Sequence, residues 1–193
     1  RTGLERFIHL SILLWAPTLL FVYMGYSGVV SFVVSFAGEN GLQDAVSIYF
    51  VLYALAILLT RPPIGKHVDK HGEKPIVYFT FASLAIGLTV LAFSFNGFML
   101  LVSAVLIGFR IGALQSILQA VIARDASTSE LGRANSTFMM CIDLGVGVGP
   151  VVIGAFIPFT GFSFCYLALA IGAVIACVLY HFLDKRRVKS KAK

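Results

Sequence analysis

Charge is scarce in this sequence. Only 12% of its 193 residues are Asp, Glu, Lys or Arg, 59% are hydrophobic, and mean hydropathy is +0.92. An average soluble domain is about 25% charged, so a water-soluble globule is excluded and the chain's solvent is lipid. Cysteine is scarce too. Cys141, Cys165 and Cys177 all lie inside apolar segments, with no Cys-x-x-Cys, so neither a disulfide framework nor a zinc site is expected. Nucleotide-binding loops, His-Glu-x-x-His and Gly-x-Ser-x-Gly are all missing, so neither an enzyme nor a cofactor is expected. The chain opens on Arg1-Thr2 without Met and without a signal-peptide pattern, and is expected to be a piece of a longer protein.

What the sequence has is long apolar runs, six of them. They cover Phe7 to Ala37 (Pro17 marking a kink), Ala45 to Thr60 or on to Ile64, Pro75 to Phe95, Phe98 to Ala123, Ala134 to Pro158, and Phe162 to Leu183. Each is long enough to cross a hydrocarbon layer about 30 Å thick. The fold class expected is all-α: a polytopic membrane protein with a six-helix bundle over 1–183 and a basic tail over 184–193. The lipid bilayer is its first partner.

The connections alternate in charge. Gly38 to Asp44, Asn96-Gly97 and Phe159 to Gly161 carry no Lys or Arg, whereas Arg61 to Lys74, Arg124 to Arg133 and the tail are basic. Fourteen of the fifteen Lys and Arg fall on that second side, counting Arg1 and Arg6; only Arg110 lies within a span. Cytoplasmic loops carry such an excess, so both termini are expected in the cytoplasm and the chain in the plasma (inner) membrane. The net charge of +6 is then a topology signal, and no nucleic-acid partner is expected.

The segment Gly65-Lys66-His67-Val68-Asp69-Lys70-His71-Gly72-Glu73-Lys74 resembles motif A of the major facilitator superfamily, a loop between two helices on the cytoplasmic side. Gly65, Asp69, Lys70, Gly72 and Lys74 match it, and Glu73 departs where a basic residue is usual. The glycines suit a tight turn, and Asp69 can complement a helix N-terminus. In the family this loop is a latch between two halves. His67 and His71 flank Asp69 at four-residue spacing, but no further ligand accompanies them, and no metal is expected.

The fifth run, Asp143-Leu-Gly145-Val-Gly147-Val-Gly149-Pro150-Val-Val-Ile-Gly154, is similar to the Gly-Pro helix motif of the family's drug and metabolite exporters. Gly145 and Gly149 form a ridge that lets another backbone approach, Pro150 can bend the helix, and Asp143 points away from Gly145. The fourth run places Arg110 between Gly108 and Gly112, which partly resembles the family's buried-Arg motif, without the usual Gln-Gly. With Arg124 and Arg133 as the membrane edge, Arg110 lies about 21 Å deep and Asp143 about 15 Å. A lone charge there costs at least about 2.5–3.5 kcal/mol. Two readings stand: a static ion pair, or a proton or substrate site.

The resemblance covers essentially the whole chain and implies one of the family's two bundles, the carboxyl-terminal one, built of inverted three-helix repeats. It implies a missing amino-terminal half as partner, and alternating access around a midplane site. The cavity-lining helices would be the first, second, fourth and fifth, with Tyr23, Tyr26, Tyr49, Tyr53, Gln115 and Phe138 as candidates, each also explicable by packing. The internal repeat is faint in sequence: Pro62-Pro-Ile-Gly65 against Pro150-Val-Val-Ile-Gly154. The function expected is proton-coupled efflux of drugs or small metabolites; the alternatives are a nutrient uptake symporter and a non-transporting membrane receptor or scaffold.

Overall fold

Hydrocarbon offers a backbone no hydrogen-bond partners, so a spanning segment must satisfy its own. The described segments do so as helix. The computed structural model describes residues 16–125 and 130–191. Four helices come first: α1 (Ala16–Glu39), α2 (Gln43–His71), α3 (Lys74–Ala92) and α4 (Gly97–Asp125). A last helical run, Leu131–Lys191, is interrupted at Gly161, whose φ of 78 and ψ of 166 are not helical. It divides there into α5 (131–160) and α6 (162–191). No strand occurs among the described residues. Residues 7–15 of the first expected span lie outside the described residues.

The turns explain the boundaries. Asn40 donates from its amide to the Phe36 carbonyl at 2.8 Å, Leu42 N–H reaches the Ala37 carbonyl at 2.8 Å, and Gly41 supplies the left-handed φ of 67, so α1 stops there. Asn96 accepts from Met99 N–H at 2.9 Å and caps the start of α4. The connection from α2 to α3 differs from expectation. The motif A-like segment is not a loop: α2 passes through Pro62 and Pro63 and ends at His71, seven residues beyond Ile64. Proline's fixed φ is compatible with helix. What it removes is a donor, and the backbone bonds resume beyond it. Gly65, Asp69 and Lys70 therefore sit in the last turns of α2. Gly72 (φ 80) makes the turn with Glu73, and Lys74 opens α3.

Packing pairs helices that are not neighbours in sequence. Gly145 approaches Leu20 and Tyr23, and Gly149 approaches Met24 and Ser27. The numbers rise together, so α5 runs parallel to α1. Phe36 meets Tyr166 and Gly172 faces Phe21, so α6 returns antiparallel along the same helix. In the other pairing, Gly108 abuts Tyr53 and Gly112 abuts Ile57, setting α4 parallel to α2. α3 then joins the two pairs. Its Ser83 hydroxyl donates to the Leu106 carbonyl of α4 at 2.9 Å, and its Tyr78 stacks edge-on with Tyr180 of α6, ring centroids 5.7 Å apart.

Apolar side chains cover the outside. Leu59, Phe98, Val151 and Phe159 are among many large apolar residues that stay exposed, which water would punish and lipid does not. Coverage is uneven: 17% of the apolar span of α2 is buried, against 50–56% for α1, α3 and α4.

Candidate functional site

Gly108 and Gly112 bring α4 against α2, and Tyr26 of α1 stacks on Tyr53 of α2, so polar side chains of the three helices gather. A Cβ on Gly108 would lie 2.7 Å from the Tyr53 carbonyl oxygen and 2.9 Å from Ala56 Cβ; on Gly112 it would lie 2.6 Å from the Ile57 carbonyl oxygen. Only glycine fits there. The contact fixes Tyr53 beside α4 and brings the next turns of the two helices together.

Four of the tyrosines read as cavity candidates form one cluster. Tyr49 stacks on Tyr53 (6.2 Å), Tyr53 on Tyr26 (6.2 Å), and Tyr26 meets Tyr23 edge-on (6.3 Å). Tyr23, Tyr49 and Tyr53 are buried and Tyr26 is half-buried. The hydroxyls of Tyr23, Tyr49 and Tyr53 make no hydrogen bond among the described residues. Ser103 neighbours Tyr49, but its hydroxyl is turned to the Leu100 carbonyl.

Arg110 sits behind this cluster with no exposed surface. Its guanidinium lies over the Phe81 ring at 4.9 Å, a cation–π distance, and within electrostatic reach of Tyr23, Tyr53 and Cys177. All three of its side-chain nitrogens lack a hydrogen-bond partner among the described residues. Asp143 is not that partner. It lies on an exposed face of α5, and no ion pair joins the two. Similar depth on helices close in sequence did not make them meet, because α5 packs on α1 while α4 packs on α2.

Gln115 is half-buried, and its side-chain oxygen accepts from an Arg61 Nη at 2.6 Å. Arg61 is the residue that sequence reading missed, having been placed at the head of a basic loop. The signal was there: Tyr49, Tyr53 and Arg61 recur at multiples of four along α2, and Arg61 comes before the prolines. Phe138 is wholly buried in the core near Ala134 and Cys141.

The remaining candidates are structural in their contacts. Gly145 and Gly149 admit the α1 backbone, with prospective Cβ distances of 2.9 Å to the Leu20 oxygen and 2.8 Å to the Met24 oxygen, and Gly154 faces the Phe32 ring. Pro150 lies within α5 without breaking it. Gly65 has open space around it, Lys70 and Lys74 are exposed, and the side chains of Asp69 and His71 lie outside the described residues.

Comparison with known proteins adds the family. The model of the Major Facilitator Superfamily matches residues 7–193. Among relatives, the class H tetracycline resistance protein of Pasteurella multocida is 26% identical over 157 residues, covering 78% of this chain and 38% of that protein. A multidrug resistance protein B homolog of Mycobacterium tuberculosis is 26% identical over 151 residues, 76% of this chain and 28% of that protein. The proton myo-inositol cotransporter hmit-1.1 of Caenorhabditis elegans is 30% identical over 125 residues, 63% of this chain and 21% of that protein. The chain thus spans well under half the length of these relatives. With membrane-length apolar helices and a matching family model over nearly every residue, the chain belongs to the Major Facilitator Superfamily.

Proposed function

We propose that this chain is the carboxyl-terminal half of a secondary active transporter that exports drugs or small metabolites against a gradient, driven by protons. The observation that carries the reading is the Tyr23–Tyr26–Tyr53–Tyr49 cluster backed by a buried, unpaired Arg110. A receptor or scaffold needs no charge in its core, and intramembrane ionisable groups mark transport paths. The sparsely covered α2 and the exposed face of α5 are where an amino-terminal half would dock, and the site would open between the halves at the midplane. Both termini would then face the cytoplasm of the cell whose plasma membrane holds the protein.

Asp143 is the candidate proton carrier. It is exposed on α5 one helical turn from Gly147, where a Cβ would meet nothing within 4 Å among the described residues. The test is transport by the complete protein in proteoliposomes under an imposed pH gradient. Asp143→Asn should abolish gradient-driven movement and leave substrate exchange at equal pH intact. Full gradient-driven transport by the variant would refute proton coupling through this residue. A second reading, proton-linked uptake, draws on the likeness to the proton myo-inositol cotransporter; inward accumulation in the same vesicles would select it.

A further inference from the structure

Two guanidinium groups frame the tyrosine cluster, and among the described residues neither is paired with a carboxylate. Arg110 is buried behind it, facing Phe81 on one side and within reach of Tyr23 and Tyr53 on the other. Arg61 is exposed about two helical turns beyond Tyr53 on α2, its Nη donates to the Gln115 oxygen on α4 at 2.6 Å, and it lies within electrostatic reach of Tyr23. The Gln115 oxygen is taken by Arg61, so what Gln115 has left to offer is its amide N–H groups. The Arg61–Gln115 pair therefore presents donors and positive charge, the charge of Arg110 is buried behind Tyr23 and Tyr53, and the half-buried Tyr26, stacked on Tyr53, offers an aromatic face. Such a surface fits an oxyanion carried on a flat ring: guanidinium and amide donors pair with the oxygens and the ring stacks on tyrosine. A cation would meet repulsion from both arginines, which costs more in a low-dielectric site than in water.

We propose that the molecule recognised by this half is an organic anion, a carboxylate, sulfonate or phosphate on a planar aromatic body. Its charge is met by Arg61 and Gln115, and its ring lies against Tyr26. Arg110, closed off by Tyr23 and Tyr53, acts as a positioning residue that supplies field from behind without touching the ligand. The inference rests on the transport reading above and adds the substrate class.

The experiment uses the complete transporter in proteoliposomes and three probes of one shape: 1-naphthoate, 1-naphthylmethanol and 1-naphthylmethylammonium, carrying negative, no and positive charge. Naphthoate should move at least about tenfold better than the cation. Arg61→Gln should cut naphthoate transport by about tenfold and leave naphthylmethanol unchanged, with Arg61→Lys in between because it keeps charge without the fork. Arg110→Gln should weaken naphthoate alone; should that variant fail to insert, the exposed Arg61 decides the matter by itself. Preference for the cation, or naphthoate transport untouched by Arg61→Gln, overturns the proposal and points to a carboxylate of the other half as the arginines' partner. Movement of no probe at any charge removes the transport reading and this inference with it.

Discussion

Gly72 and Gly161 turn the chain with nearly the same backbone angles, φ 80 and ψ 170 at the first, φ 78 and ψ 166 at the second. One closes the α2–α3 hairpin and the other the α5–α6 hairpin, at opposite faces of the bundle. The same inversion governs the packing: α4 lies parallel to α2, and α5 parallel to α1. Each repeat thus lends two helices to glycine-mediated contacts with the other. The internal repeat, faint at Pro62 to Gly65 and Pro150 to Gly154, is carried instead by the turn that follows.

That conformation belongs to a region essentially reserved for glycine, where a side chain costs about 1–3 kcal/mol. Gly72→Ala and Gly161→Ala should each lower stability by that amount, read as a reduced unfolding midpoint of the purified protein in detergent. Gly38→Ala is the control, since Gly38 has an ordinary φ and nothing within 4 Å. Equal behaviour of Gly161→Ala and Gly38→Ala would contradict the strain argument.

The helix crossings make a second prediction. At Gly112 a Cβ would meet Ile57 backbone atoms at 2.6, 3.0 and 3.2 Å, which no rotamer change relieves. Gly112→Ala should destabilise by about 1–3 kcal/mol. Gly147→Ala, on the open face of α5, should be neutral or slightly stabilising in this half, because alanine favours helix over glycine by about 0.5–1 kcal/mol. Chemical denaturation of the two variants side by side checks the order.

Much of this fold was legible because lipid simplifies the code. Apolar length gave the helices, and basic residues sorted the loops into two kinds. Gly108, Gly112, Gly145 and Gly149 announced close helix contacts by their four-residue spacing. What stayed hidden was which helix each ridge meets, since that depends on the pairing of non-sequential helices. For that reason depth alone suggested an Arg110–Asp143 pair, whereas the structure puts Phe81 against Arg110 and leaves Asp143 on another face. Hydropathy also ended the second span too early, because falling apolarity at Arg61 to Lys74 marks the membrane edge and not the helix end. Arg61 was mistaken for a loop residue through the same confusion.

Orientation is the third prediction. The basic residues flanking α2 and α3 should keep the Gly72 turn in the cytoplasm and the Gly161 turn outside. Asp44→Cys, on a background with Cys141, Cys165 and Cys177 replaced, should react in intact cells with a membrane-impermeant maleimide. Lys70→Cys should react only after the cells are opened. Labelling of position 70 from outside would reverse the topology.

The last prediction concerns Arg110 and Asp143 together. Were they a buried ion pair, removing either would strand the other in a low-dielectric interior, and each single change would be strongly destabilising. Replacing both with apolar residues would then restore stability, giving a large coupling energy. The geometry argues otherwise. Arg110 has its face on Phe81 and no acidic partner among the described residues, while Asp143 is exposed on α5. Residues without shared partners add within about 0.3–0.5 kcal/mol. In a cycle of Arg110→Met, Asp143→Asn and the double variant, the unfolding free energies of the purified protein should therefore be additive within that margin. Asp143→Asn alone should barely change stability, because it strands no buried charge. Arg110→Met should fall far short of the loss expected on breaking a buried pair, since it deletes an unpaired cation and keeps most of the apolar stem against Phe81. A coupling energy above about 1 kcal/mol would place the two side chains in contact after all, and would return Asp143 to the role of a structural counter-ion.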